Sequence, residues 1–372
     1  MEFTVSKADL VRELGLSQGV VEKKSTIPIL ANILLEADGD RLSLTATDLE
    51  LGIRCGCPAK VKRAGSGTIP AKKLLDYVRL LPDGEIAIKF GDNQWASITA
   101  GRSKTRMAGM SRESYPELPE MPQLLAELPV KRLAAMITRT IFAISAEESR
   151  FTLNGALLVV KAQGLTMVST DSHRLAMVEC PMEIEGFAPD QSFRALLPRK
   201  AMGELARLAA EAPDDAKLLF AGDENHLFFQ IGDRLLLSRK LTGNFPDFER
   251  VLPKDHPQNV TLGREELKAS LERVMQFSDE RSRAIRVGAF PGELKLHSSL
   301  SDTGESEETL TATYEGPNVE IGFNAAYMLD FLRASSEDNV QFLFKDSASA
   351  GELRPVSDGT LNYRYIVMPM RI

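Results

Sequence analysis

The chain has 372 residues, 43% of them hydrophobic and 26% charged, with a net charge of -7. That length suits two or three domains, and the composition excludes a disordered chain or a small fold that needs metals or disulfides. An acidic total argues against a nucleic-acid binder unless positive charge is gathered locally.

The start, Met1-Glu2-Phe3-Thr4-Val5, is acidic and then strand-like, without the basic and apolar runs of a signal peptide. No apolar stretch approaches the ~20 residues that span a bilayer, so a cytoplasmic protein is expected. A strand at Phe3–Val5 leads into a predicted helix over Ser6–Leu16. Next, Leu30–Leu35 and Leu42–Asp48 read as strands separated by the turn Asp38-Gly39-Asp40. Cys55 and Cys57, with Cys180 far along the chain, are three cysteines in all. Their spacing does not fit a zinc site, and reduced thiols are expected, with no metal and no cofactor. Thr68-Ile69-Pro70 enters a predicted helix over Ala71–Leu81, and Ile86/Ile88/Phe90 alternate as a strand. The proline-rich segment Glu117–Gln123 reads as a linker.

After that linker the pattern begins again. Leu128–Val130 leads into a helix over Val130–Ala143, and Leu153–Leu158 with Leu165–Asp171 repeat Leu30–Leu35 with Leu42–Asp48, shifted by 123 residues without a gap. Leu196-Leu197-Pro198 enters a helix over Arg199–Ala210, as Pro70 does in the first copy. Proline is acceptable early in a helix because its missing N–H would be unpaired there. A second linker, Lys254–Gln258, precedes a fainter third copy. Its parts are Val260–Leu262, a helix over Arg264–Val274, Ile285–Val287, Glu293–Ser298, a helix over Ala325–Ala334 and the alternating Phe342/Phe344. The repeat predicts an α+β protein of three similar domains, 1–125, 126–257 and 258–372, each with two helices and antiparallel sheets.

Charge is segregated along these elements. The helices over 71–81, 130–143 and 199–210 carry +2, +3 and +2, the other three are neutral, and everything else sums to -14. Because exposed charges are screened beyond about 8 Å at physiological salt, a basic helix surface can bind phosphates on an acidic protein. Solvated outer helix faces would account for the same charges. No sequence-reading motif stands out, so any DNA contact should be to phosphates.

Nothing points to an enzyme. There is no phosphate-cradling Gly-x-x-x-x-Gly-Lys-Ser/Thr loop, and the four histidines lack metal spacing. Ser169-Thr170-Asp171-Ser172-His173-Arg174 gathers a hydroxyl, carboxylate, imidazole and guanidinium, which would suit acid–base work on a phosphate. Yet Thr47-Asp48 stands at the matching place of the first copy without His or Arg, so the Thr-Asp pair reads as turn chemistry. His173 and Arg174 then read as binding residues. A hydrolase using Asp171 and His173, and a peptide scaffold without DNA, are the two other readings.

Several short pieces occur in one order: Ile27-Pro28-Ile29-Leu30, Leu153-Asn154-Gly155, Thr170–Ala176, Leu197-Pro198-Arg199-Lys200, Gly243-Asn244-Phe245-Pro246-Asp247-Phe248 and Val367–Arg371. In that order the chain resembles the bacterial β sliding clamp family, the β subunit of DNA polymerase III, over essentially its whole length. The resemblance implies a non-enzymatic ring, a head-to-tail homodimer with six domains lined by twelve helices around double-stranded DNA. It implies as partners the DNA polymerase III catalytic subunit, the clamp loader, and other polymerases and repair proteins that carry short peptide motifs. The peptide pocket implied between the second and third domains takes Leu153, Thr170, His173, Arg174 and Leu175 from one stretch. Pro246, Arg250, Val251, Ile366, Val367, Met368, Pro369, Met370 and Arg371 come from two others. For DNA the resemblance implies Lys24, Arg150 and Phe151, with Lys73, Lys131, Arg199 and Lys200 as pore cations. At the dimer seam it places Lys73 and Phe277, with Glu305, Glu307 and Glu308 facing Arg102, Lys104 and Arg106 of the neighbour. No contact is assigned to 348–359.

Overall fold

Alternating apolar residues and tight turns produce antiparallel strands throughout the computed structural model, which describes residues 1–21, 26–185, 187–302, 304–356 and 359–371. The six helices among these residues are α1 (Lys7–Ser17), α2 (Ala71–Leu80), α3 (Val130–Thr140), α4 (Arg199–Ala210), α5 (Arg264–Val274) and α6 (Ala325–Ala334). Each begins where an edge of a strand runs directly into it. Pro70 is the residue before α2 and offers no side-chain cap, whereas Asn324 accepts hydrogen bonds from the N–H groups of Ala326 and Tyr327 at the start of α6. The expected helix over 130–143 is shorter as an α-helix, its last residues Ile141–Ala143 forming a 3-10 turn.

The chain divides into two compact units, one of residues 1–134 with 200–240, the other of 135–199 with residue 241 onward. The stretch 126–257 thus gives strands to both, because its own strands pair with those of its neighbours in sequence. In the first unit a twelve-stranded sheet runs, along its main path, Ser103–Ala108, Trp95–Ala100, Glu85–Phe90, Glu2–Ser6, Leu51–Arg63, Arg234–Arg239, His226–Ile231, Lys217–Gly222 and Leu124–Pro129. The crossing point is the antiparallel register Leu51↔Ser238, Gly52↔Leu237 and Ile53↔Leu236. Beneath it Glu13 of α1 is buried, clamped by Arg234 through two hydrogen bonds of 3.0 and 2.7 Å and joined by Arg12. Burial opposes its charge, but these guanidinium bonds outweigh that and lower its pKa.

In the second unit an eight-stranded sheet runs Ser192–Pro198, Gly155–Lys161, Gly164–Thr170, Arg174–Pro181, Asn362–Val367, Gly351–Pro355, Asn339–Phe344 and Gln258–Gly263. Its crossing point is Arg174↔Val367, Leu175↔Ile366 and Ala176↔Tyr365. A separate four-stranded sheet runs Gly304–Thr311, Glu293–Leu300, Ala284–Phe290 and Val319–Asn324. All three cysteines are buried. Burial, with Glu13 adding to it, pushes the Cys55 and Cys57 thiols up to about 12, so both stay protonated core groups.

The repeat read from the sequence is visible bond for bond in the Thr-Asp turns. Thr47 donates to the Leu51 carbonyl and accepts from Leu49 N–H, while Asp48 accepts from Glu50 and Leu51 N–H. Thr170 and Asp171 repeat this with Arg174, Ser172 and His173. Leu49 and Ser172, at the same place in each turn, both hold positive φ, 78° and 77°. The Thr-Asp pair therefore builds a turn in both copies.

Candidate functional site

The turn at Thr170–Leu175 fixes the direction of Arg174, and a dense set of partners then holds it. Its Nε donates to Asp171 Oδ2 at 3.0 Å, one terminal nitrogen to Asp330 Oδ2 at 2.6 Å, and the other to the Phe142 carbonyl at 2.7 Å. The guanidinium lies 4.2 Å from the Tyr327 ring centroid and 3.4 Å from the Tyr365 hydroxyl. Burial disfavours its charge, yet Tyr365, Asp330 and Asp171 together raise its pKa above the ordinary arginine value. Arg174 is thus the pin of the corner, with its donors already engaged. Asp330 and Tyr327 on α6, with Phe142 and Tyr365, are the parts of this arrangement that sequence reasoning did not single out.

Around the pin the pocket residues sort by exposure. Leu153, Thr170, Leu175, Ile366 and Val367 are buried. Leu175 and Ile366, paired across strands, share a cluster with Leu157, Val159, Val168, Met177 and Leu196. Phe245, Phe248 and Leu252, from the segment after the last strand of the central stretch, pack against that cluster. His173, Pro246, Arg250, Val251, Met368 and Arg371 are exposed, and Arg250 pairs with Asp247 at 2.7 Å. Met368 N–H bonds the His173 carbonyl at 2.9 Å, and Met370 N–H bonds the Gly322 carbonyl at 2.8 Å, which leaves Pro369 and Met370 half-buried. The buried aliphatic cluster, with exposed Met368 two residues beyond Ile366 and exposed Val251 next to Leu252, is a candidate surface for apolar side chains, with polar groups of the His173 turn at its edge.

The residues that the resemblance assigns to DNA form a second group. Phe151 is 71% exposed, a free aromatic face beside Arg150, whose guanidinium bonds Glu147 at 2.8 Å and Ser172 Oγ at 2.9 Å. Lys73 and Arg199 are exposed; Lys131 pairs with Asp214 at 2.8 Å, and Lys200 with Asp48. Lys24 lies outside the described residues. The helix charge count needs one correction: Arg139 is buried and paired with Glu337 at 2.7 Å, so it adds nothing to a basic surface.

Two sheet edges carry the charges assigned to the seam. Ser103–Ala108 ends the twelve-stranded sheet with Lys104 and Arg106 exposed, Arg106 lying over the Trp95 ring, and Arg102 exposed in the turn before it. Gly304–Thr311 ends the four-stranded sheet with Glu305 and Glu307 exposed. Glu308 points to the opposite face, where Arg273 of α5 holds both its oxygens at 2.7 and 2.6 Å. That alternation follows from the strand's period of two and gives Glu308 a partner within its own unit. Phe277 is half-buried.

Residues 1–119, 127–247 and 249–371 match the N-terminal, central and C-terminal domains of the DNA polymerase III beta subunit. The chain belongs to the β sliding clamp family. It is 36% identical to the beta sliding clamp of Pseudomonas putida and 34% identical to that of Chlamydia muridarum, with 100% of this chain and 100% and 99% of those chains aligned. Among solved structures, a sliding clamp of Pseudomonas aeruginosa bound to griselimycin superposes with a TM-score of 0.94 at 34% identity, each chain covered fully. The clamp of Bacillus subtilis gives 0.93 at 26% identity, covering 100% of this chain and 99% of that one. Family membership makes the chain a DNA sliding clamp, a processivity factor and not an enzyme. In a clamp, His173 and Asp171 need no catalytic explanation.

Proposed function

We propose that two copies of this clamp close head to tail into a ring of six domains, divided near 1–125, 126–257 and 258–372, around double-stranded DNA. The observation that carries the closure is the pair of complementary free edges: Lys104 and Arg106 on one, Glu305 and Glu307 on the other. In a head-to-tail dimer the acidic edge of one copy meets the basic edge of the next, with Lys73 and Phe277 nearby. A closed ring is retained by topology, so contacts to DNA can stay weak and independent of sequence, which lets it slide. Lys73, Lys131, Arg199 and Lys200 supply phosphate contacts, Lys24 and Arg150 add to them, and Phe151 offers an exposed ring for stacking. The pocket over Leu175 and Ile366 takes short apolar peptides of the DNA polymerase III catalytic subunit, the clamp loader, and other polymerases and repair proteins. Tethering raises their effective concentration at the template without new DNA contacts. The work is done in the cytoplasm.

Reversing the basic edge (Lys104→Glu with Arg106→Glu) is expected to weaken the dimer at least about tenfold, because exposed pairs worth under about 1 kcal/mol each become repulsive. Electron microscopy and sedimentation of the purified protein read this as a shift from six-lobed rings to single protomers. Adding Glu305→Lys and Glu307→Lys to the same chain should restore rings. Rings unaffected by the first reversal would refute the edge assignment, and wild-type particles without a hole would refute the ring.

Phe151→Ala tests the DNA contact. Stacking of an aromatic on a base is worth about 1–3 kcal/mol, so binding to a primed template junction should drop about tenfold. The salt dependence should stay unchanged, whereas Arg199→Ala should reduce its slope by about one phosphate contact. Equal salt slopes in all three proteins would rule out Arg199 as a phosphate contact.

A further inference from the structure

The crossing point of the first unit repeats that of the second residue for residue. Thr47, Asp48 and Leu49 stand for Thr170, Asp171 and Ser172, in turns with the same hydrogen bonds and the same positive φ. Gly52 opposite Leu237 stands for Leu175 opposite Ile366. Arg239 N–H bonds the Glu50 carbonyl at 2.7 Å, as Met368 N–H bonds that of His173 at 2.9 Å. The covering segment recurs too, Tyr115-Pro116-Glu117-Leu118 standing 130 residues before Phe245-Pro246-Asp247-Phe248.

The differences between the two copies all act in one direction. Where the second unit has the Leu175 side chain as floor, the first has a glycine, and Leu118 drops into the notch. A Cβ placed on Gly52 would stand 3.0 Å from both Leu118 methyl carbons and 3.1 Å from Leu237 Cγ. Where the second rim has exposed His173 and Met368, the first has Glu50 and Arg239 joined by an ion pair of 3.2 Å. The cavity left beside Leu118 is about 210 Å³, lined by Glu36, Thr45, Arg54, Arg112 and Glu117 among others. That is below the roughly 300 Å³ at which ligand pockets begin, and polar where the second unit has Val159, Val168 and Met177.

We infer that the first unit holds a closed counterpart of the peptide pocket, sealed by Leu118 over Gly52 and by the Glu50–Arg239 pair. The seal limits each protomer to one short apolar peptide. This rests on the pocket reading proposed above, and the ligand class is the same. Removing the seal should produce a second site.

The test is the stoichiometry, by titration calorimetry, of a synthetic heptapeptide alternating leucine with polar residues and ending in phenylalanine. Wild type should bind one peptide per protomer, and the variant L118A/E50H/R239M two. The added event should persist when Met368→Asp removes the first. One peptide per protomer in a variant with wild-type secondary structure and cooperative melting overturns the inference, as would two in wild type. No binding by wild type would instead overturn the pocket reading, and this inference with it. If that variant fails to fold, L118V with E50A and R239A replaces it, since both charges are exposed. It should show a second event at least about tenfold weaker than the first, the cost of the two methyl groups that valine keeps beyond Cβ. Its absence overturns the inference equally.

Discussion

Arg174→Ala is expected to abolish measurable peptide binding and to lower the stability of the second unit by about 3 kcal/mol. The guanidinium is largely buried, with its side chain 10% exposed, and its removal takes the cationic partner from Asp171 and Asp330 and empties the space over Tyr327. Two links then fail together. The Asp171 side chain loses its outer partner, so the turn that presents His173 and anchors Met368 is less firmly held. Helix α6 also loses its tie to that turn through Asp330. Arg174→Lys should recover little, because an ammonium cannot meet Asp171, Asp330 and the Phe142 carbonyl at once in the planar geometry of the guanidinium. Urea denaturation with peptide titration on the same variants checks both effects. A double variant with Asp330→Asn should lose less than the two single losses added, since both break one network. Full additivity, or wild-type peptide affinity in Arg174→Ala, would show that the arginine does not organise the pocket.

How much of this was legible in the sequence depends on the range of the signal. The helices over 199–210, 264–274 and 325–334 have the predicted bounds, because a strand-to-helix entry and an apolar face are local features. The Thr-Asp turns were legible for the same reason, helped by their recurrence after 123 residues. The pairing of Leu51–Arg63 with Arg234–Arg239 was not, since nothing local marks a strand's partner almost two hundred residues away. Neither was the partner of Arg139, which counted as a basic helix charge until Glu337 was seen against it. Arg174 was found from its motif, but its partner Asp330 lies 156 residues further on, where it reads as an ordinary polar residue of an amphipathic helix. The segment 348–359, to which no contact was assigned, contains one of the most completely buried carboxylates among the described residues.

That carboxylate, Glu352, is the source of the second large expected effect. It accepts from Arg354 Nε at 2.5 Å, from Arg364 Nε and a terminal nitrogen at 2.6 and 2.8 Å, and lies 2.7 Å from His256 Nε2. Burial by itself would raise its pKa, but the bonds from Arg364 and Arg354 overcome that and lower it from 4.5 to about 2. A folded value below the unfolded one means that the ionised form stabilises the fold. The contribution is complete above the unfolded value of 4.5 and is lost as pH falls through about 2. The shift corresponds to about 3 kcal/mol at neutral pH. Glu352→Gln should therefore be less stable by about that amount at pH 7, and should converge with wild type at the acid end of the window. Its effect should reach the pocket, because Glu352 is the register partner of Ile366, whose side chain forms the floor beside Leu175. Peptide affinity and stability of wild type should accordingly decline together on the acid limb, while the variant shows a shallower limb there, set by the remaining lowered carboxylates such as Glu13. Urea midpoints measured from pH 7 down to pH 2 decide the matter: an acid limb equally steep in Glu352→Gln would place the titrating group elsewhere.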